Sequence, residues 1–452
     1  MDLANRKPEA EGREAELRAA GRQARKLVPR GSQAEFKPPA RDPVEFIQAQ
    51  NEVRIPELVP LRTERMSADP FSFYRGNAGL MSADLAALPR SGRELLICGD
   101  AHIANFGLYA SPERRLVFDL NDFDEATIGP WEWDVKRLVA SVVVGGGQLG
   151  IGRQRLRRLA LLAARSYHVG LYRALRISPL ERYYFHIGEH HADQLLQPKD
   201  KAWFGIQAHK ARRRTSASAV RKFMEPVDGQ LRFREDPPAM VHISEAEVGQ
   251  VQVHFETYRQ TVRSDVAVLL SMFAPVDFAR RAVGVGSVGT ACYVVAFRGR
   301  NKSRLVLQVK QALPSAVGGY SPVWELNKSV VRLPQHEGER VVVGQQILQA
   351  VSDPFLGHFQ ANGRDFYVRQ FRDMKWSFDT AGMTARRFGN YVNACGFMLA
   401  RAHSQSPSAP WVLGYLGKST AFDEAVVDWA FAYAEQSLQD YGRFRRALGS
   451  RD

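Results

Sequence analysis

The sequence predicts an α+β chain in which a small antiparallel sheet is set between two mainly helical stretches. Three observations carry that expectation. Apolar positions recur at helical spacing over Trp133 to Leu149, Arg153 to Leu175 and Ser244 to Ala274, and again from Ala385 onward. From Ala282 the pattern changes to short β-like runs, TACYVVAF, SRLVLQV and DFYVRQF, with the helical run VVVGQQILQAV before the last. Finally, 452 residues, 45% of them hydrophobic and 24% charged, are enough to bury more than one core.

Taken in order, residues 1–50 are rich in Arg, Glu, Ala and Pro and read as a mobile basic leader without chemistry. Residues 51–281 form a large helical unit interrupted by ELLICGD, NFGLYA and RLVFD, with turn formers Ser111 to Arg114 between the last two. That interruption reads as a hairpin beside a loop. Residues 282–372 form the small sheet with one helix, and residues 373–452 return to helix. No repeat of 20 to 50 residues is visible, which disfavours a solenoid.

Composition narrows the partners. A formal charge of +14 favours anions: nucleotides, nucleic acid or acidic lipid. Aromatic and basic residues do not interleave on one strand as in single-strand readers, so nucleic acid is left open but not favoured. The three cysteines, Cys98, Cys292 and Cys395, lie far apart, which indicates neither a disulfide framework nor a zinc site and suits a reducing cytoplasm. No apolar run reaches the length of a membrane span, and the N-terminus lacks the apolar core of a signal peptide.

The sharpest local signal is Gly99-Asp100-Ala101-His102-Ile103-Ala104-Asn105, following an apolar strand-like run. A carboxylate and an amide five positions apart can divide two tasks, one taking the proton of an attacking hydroxyl and the other ligating magnesium. The bland alternative is a turn in which both side chains bond their own backbone. Next comes Phe118-Asp119-Leu120-Asn121-Asp122-Phe123-Asp124-Glu125, whose crowded carboxylates repel one another unless a cation such as Mg²⁺ or Mn²⁺ offsets them. Asp134 opens a helical run, where it either caps the helix or braces the Asp100 loop.

Gly284-Val285-Gly286-Ser287-Val288-Gly289 stands between two strand-like runs, so it fits a loop folded over phosphates rather than a dinucleotide fingerprint, which needs a helix next. Lys310 lies in the apolar strand LVLQVK, where an ammonium must reach an anion or water. A carboxylate partner is sought on the following helix among Glu325, Glu337 and Glu339, with Glu339 favoured. His403, ending LARAH, reads as a satisfied core or helix-terminal histidine, and Glu189-His190-His191 lacks the spacing of a zinc site.

Together these parts resemble the catalytic site of protein kinases and aminoglycoside phosphotransferases, in a different order along the chain. GDAHIAN is similar to the GDxHxxN catalytic loop, FDLNDFDEA to the metal-binding strand end, GVGSVG to the glycine-rich loop and LQVK to the strand with the phosphate lysine. The blocks FSFYRGNAGLMSADLA, CGDAHIANFG and FDLNDFDEATIGPWEWDVKRLVAS, with those downstream, also resemble the bacterial family called domain of unknown function 2252, from about residue 40 to the C-terminus. The resemblance implies a two-lobed kinase-like fold in circularly permuted order. It implies Asp100 as general base, Asn105 and Asp119 as metal ligands, Lys310 as the phosphate contact, and Gly284, Gly286, Ser287 and Gly289 as the cover over ATP. Departures stand out: Cys98 replaces the usual His, Asp122-Phe123-Asp124 replaces Asp-Phe-Gly so that Asp122 rivals Asp119, and no clear glutamate pairs with Lys310.

The activity so implied is ATP- and Mg²⁺-dependent transfer of the γ-phosphate to a hydroxyl of an unidentified small molecule or protein. Its rivals are nucleotidyl (AMP) transfer in the same cleft and a catalytically silent ATP-binding or nucleic-acid-associated protein. The enzymatic reading hinges on two stretches nearly two hundred positions apart, one carrying Asp119 and the other Lys310, converging around one triphosphate.

Overall fold

The computed structural model describes residues 6–38, 40–189, 191, 196–321 and 334–449. It is α+β, as the periodicities predict. Strands β1 (Glu94–Ile97), β2 (Phe106–Ala110), β3 (Leu116–Leu120) and β4 (Thr127–Pro130) come first. β2 and β3 form the expected hairpin, with Gly107 opposite Asp119, while β1 pairs with β4. The hairpin is extended on one side by the two-residue β5 (Ile187–Gly188).

After β4 the chain enters the helix Trp131–Gln148, buried along nearly its whole length. Its run WEWDVKRLVASVVV is apolar on more than one face, as a helix packed on all sides must be. It is surrounded by the helices Arg153–Ala174, Ala385–His403 and Ala421–Gly449, so residues from both ends of the sequence build one helical core.

A short hairpin, β6 (Met224–Val227) with β7 (Gln230–Phe233), precedes the main sheet. That sheet comprises β8 (Met240–His242), β9 (Ala274–Arg281), β10 (Cys292–Arg298), β11 (Arg304–Ala312), β12 (Gly357–Ala361) and β13 (Arg364–Gln370). Its order is β12-β13-β11-β10-β9-β8, antiparallel throughout, with the helix Glu337–Leu348 between β11 and β12. The sheet therefore begins before Ala282: β9 alternates too weakly, with its first three residues not buried, to be read as a strand from sequence. After β13 the chain crosses to β14 (Trp376–Ser377), which pairs with β2, so one short crossing joins the sheet to the hairpin.

The expected mobile leader is a correction. Residues Arg6–Leu27 form a helix that packs on the helix Ala409–Leu416. A Cβ on Gly21 would lie 2.0 Å from the Trp411 carbonyl oxygen, so only glycine permits this approach. Arg25 and Arg30 then donate to the otherwise unpaired carbonyls of Gly414, Tyr415 and Leu416 at that helix's end. All three cysteines are buried and free. Among the described residues, no helix is long and apolar enough to cross a membrane.

Candidate functional site

β1 delivers the chain into the Asp100 loop through Gly99. This residue has φ +76°, and a Cβ there would come within 2.2 Å of the Glu125 carbonyl oxygen, so the turn and the close approach both require glycine. The loop is then fixed from below. Asp134 accepts from the amides of Cys98 (2.8 Å) and Gly99 (3.0 Å) and from His403 Nε2 (3.1 Å). The other nitrogen of His403 meets the Tyr167 hydroxyl at 2.9 Å. Asp134 is thus a brace rather than a cap, and His403 is a satisfied core histidine. On the far side the Tyr391 hydroxyl donates to the carbonyls of Ile103 and Phe106.

This scaffold leaves the Asp100 carboxylate half held. Arg137 Nε donates to Oδ1 at 2.8 Å, while Oδ2 lies 3.4 Å from Asn105 Nδ2 and 3.5 Å from His102 Nε2. Asn105 Nδ2 also donates to the Asp100 carbonyl at 2.9 Å, which leaves the amide oxygen of Asn105 to other partners. Burial pushes the His102 imidazole down to about 4, against the pull of Asp100 and helped by Arg75 and Arg137. His102 is therefore neutral at pH 7 and brings no cation.

The acidic loop after β3 divides its carboxylates between two environments. Asp119 is buried away from the cleft, accepting from the amides of Leu120 and Ala350, both at 2.8 Å. Burial, opposed by Arg401, pushes it up to about 6. The expected convergence of Lys310 with Asp119 does not occur: the strand end turns Asp119 away, and the residues that follow take its place. Lys310 forms its ion pair with Asp124, whose other oxygen accepts from the Tyr367 hydroxyl at 2.7 Å. This corrects the expected pairing with the following helix. There, Glu339 accepts from the Gln335 amide and Glu337 pairs with Arg340, while Glu325 lies outside the described residues. Burial opposes ionisation of Asp122, but Lys310, Arg369 and Lys375 outweigh it and hold the carboxyl well below the usual range.

One polar cleft gathers most of these groups. Asp100, His102, Asn105, Asp122, Asp124 and Glu125 line it, together with Gly284, Val285, Gly286 and Ser287. Gly289 and Lys310 are set back, Lys310 directly behind Asp124, and Asp119 is absent from the lining. The glycine loop is anchored through its carbonyls: Arg65 holds Gly284 O at 2.8 Å, Arg54 holds Val288 O at 2.6 Å, and the Ile55 amide holds Gly289 O at 2.7 Å. The amides of Val285, Gly286 and Ser287 donate to no acceptor among the described residues and are free to meet an anion. Roomier cavities of ≈ 340 and ≈ 550 Å³ are lined largely by apolar side chains and include none of the predicted residues.

The donor set suits a hard cation shared with a ligand rather than a resident cage. Among the described residues, no three His, Cys, Asp or Glu side chains are grouped to hold a metal. Yet Asp122 Oδ1 is buried with no hydrogen-bond partner, in the same cleft as the amide oxygen of Asn105. Magnesium commonly takes one or two protein oxygens and completes its shell with water and phosphate.

A family model described as an uncharacterized protein conserved in bacteria, DUF2252, matches residues 54–447. The chain belongs to this family. No curated protein and no solved structure matches it. The DUF2252 match takes in every residue of the cleft except Gln50, and leaves out the docked helix Arg6–Leu27.

Reading the DUF2252 sequence alone missed Arg54, Arg75, His102, Asp124 and Arg137 as members or neighbours of this cleft. His102 and Asp124 sat inside quoted motifs and were passed over for their neighbours. Arg75 lies inside the block FSFYRGNAGLMSADLA, whose pattern does not single it out, and Arg54 lies in the turn after the helix Pro43–Asn51; only the fold brings both to the cleft. Arg137 follows Asp134 by three positions, so the helix face that braces the loop also reaches Asp100.

Proposed function

We propose that this DUF2252 protein is an ATP-dependent phosphotransferase with a kinase-like site in permuted order, moving the γ-phosphoryl group to a hydroxyl acceptor. The observation that carries the reading is the meeting, in one cleft, of the Asp100–Asn105 loop and Asp122 with a glycine loop whose free amides come from nearly 200 residues later. The sheet order supports it. A glycine loop between the first two strands of β9-β10-β11-β13-β12, a lysine on the third and a helix before the fourth is the arrangement expected of a kinase-type small lobe. Here the catalytic loop precedes that lobe in sequence instead of following it.

In this reading the amides of Val285, Gly286 and Ser287 hold the phosphates, and Asn105 and Asp122 would hold magnesium. Bound magnesium would neutralise charge on the phosphate oxygens. Asp100 Oδ2 accepts the proton of the acceptor hydroxyl, while Arg137 on Oδ1 fixes the carboxylate's orientation. The acceptor oxygen forms a bond to the γ-phosphorus, and the bond from that phosphorus to the β–γ bridging oxygen breaks. The electron pair leaves on ADP. Lys310 acts through Asp124, fixing the acidic loop rather than reaching the cleft itself, and Asp119 belongs to the fold.

The test is a thermal-shift titration of the purified protein with ATP, ADP and GTP, with and without Mg²⁺, followed by mass spectrometry of the incubated protein. Stabilisation by ATP that requires Mg²⁺ supports the reading, and its absence removes it. Label on the γ-phosphate appearing in the product marks phosphoryl transfer, whereas label on the α-phosphate marks nucleotidyl transfer. Asp100→Ala should abolish transfer while nucleotide stabilisation survives.

A further inference from the structure

The cleft contains an arginine that nothing in the fold uses. Arg75 ends the helix Pro70–Arg75 and lines the cleft beside Asp100, His102 and Asn105. Its Nε is buried without an acceptor, and its guanidinium forms no hydrogen bond or ion pair among the described residues. The other arginines nearby are committed. Arg54 holds the carbonyls of Gln50 and Val288, and Arg137 holds Asp100 Oδ1 and the Tyr74 carbonyl.

Burying a guanidinium without a partner is costly, so an unpaired one facing a polar cavity is a site for an anion. Its place narrows which anion. The backbone of Arg75 and Gly76 lies under the glycine loop, where a Cβ on Gly286 would sit 3.5 Å from the Arg75 carbonyl oxygen. The carboxylates of Asp100, Asp122 and Asp69 act on its charge, against the burial that opposes it. It lines the same cleft as the amides that would hold the phosphate donor and the carboxylate that would receive the acceptor's proton.

We infer that Arg75 is a catalytic residue: an arginine finger supplied by the same chain, which donates to the equatorial oxygens of the γ-phosphoryl group as it passes from ADP to the acceptor. This rests on the phosphotransferase reading and adds to it the residue that stabilises the transition state. No proton or bond changes at Arg75. The acceptor oxygen replaces the bridging oxygen at phosphorus, Asp100 takes the proton, and Arg75 only binds the charge that spreads onto the three outer oxygens.

The experiment compares wild type, Arg75→Gln and Arg75→Lys for affinity to Mg²⁺·ADP alone and to Mg²⁺·ADP with aluminium fluoride, a planar mimic of the transferring group. Retained thermal unfolding of both variants is checked first, and Arg75→Lys, which keeps the charge, stands in if Arg75→Gln does not fold. The expected result is a loss of about 100-fold or more in affinity for the aluminium fluoride complex in Arg75→Gln, set against a change within about threefold for ADP. Arg75→Lys should recover only part of that loss, since a point charge cannot donate as a fork. Equal weakening of both ligands, or of neither, while wild type still binds Mg²⁺·ADP overturns the finger and leaves the phosphotransferase reading standing. Failure of wild type to bind Mg²⁺·ADP or Mg²⁺·ATP at all overturns both.

Discussion

Removing the Asp134 carboxylate tests whether one buried group holds the Asp100 loop in shape. Asp134→Ala leaves three buried donors, the amides of Cys98 and Gly99 and His403 Nε2, without their acceptor. Each stranded donor costs about 1–3 kcal/mol, so the sum is at least about 3 kcal/mol even where a water enters the gap. Asp134→Asn keeps one acceptor oxygen and should lose about half as much. At about 2.1 cal/mol/K of unfolding entropy per residue, a chain of 452 residues has about 0.9 kcal/mol/K, so Asp134→Ala should melt about 3–4 °C lower. Calorimetry reads the total, and hydrogen exchange locates it: peptides covering 98–105 should exchange faster, while those covering β10 and β11 should not change. A melt within 1 °C of wild type, or faster exchange spread evenly over the chain, would refute the brace.

Three further outcomes follow from the same contacts. Asp122→Asn should abolish the Mg²⁺ dependence of nucleotide stabilisation, whereas Asp119→Asn should keep it within about twofold, because only Asp122 offers a buried oxygen without a partner in the cleft; a thermal-shift titration of the two variants decides. Burial brings Lys136 down from 10.5 to about 8, with Glu132 and Glu35 opposing. A lowered lysine stabilises the fold above its unfolded value and loses that contribution as pH falls from 10.5 through 8, which at 1.36 kcal/mol per pH step amounts to about 3 kcal/mol. Lys136→Met should therefore raise stability at pH 7 by about 1–3 kcal/mol, less whatever the ammonium gains over the Trp429 ring, and should flatten the rise between pH 8 and 10.5 in denaturant titrations. Gly21→Ala should loosen the helix Arg6–Leu27 from the helix Ala409–Leu416 and make its backbone a site of limited proteolysis.

What sequence could foretell depended on whether the deciding signal was local. The hairpin, the glycine loop and the long helices each carry their pattern within twenty or so residues, and Trp131–Gln148 and Arg153–Ala174 lie within two residues of their expected bounds. Asp134 could be narrowed to cap or brace because its position at a helix start is local, but choosing between them needed Cys98 and Gly99, more than thirty residues earlier. Where Asp119 sits is not legible in the sequence, because strand alternation gives a face, not what that face meets; here it meets the Ala350 amide instead of the cleft. The same limit hid Lys310's partner, since Asp124 is 186 residues away and on no element that propensity could link to β11. The leader misled for a different reason. Its helix carries few large apolar side chains and docks through a glycine and two arginines, so composition resembles that of a loose tail.

The clamp on the Asp100 loop has a consequence for how the protein is made. His403 bonds a residue 269 positions before it, and Tyr391 one 288 positions before it, while Arg25 waits for a carbonyl 390 positions further on. At roughly 5–20 residues per second, a ribosome has released the loop's own segment some 15–60 s before it completes the helix that fastens that segment. A nascent or prematurely terminated chain therefore carries the motif residues of the first 130 positions in an unfastened state, and the Asp100 loop is clamped only once the helix Ala385–His403 has emerged.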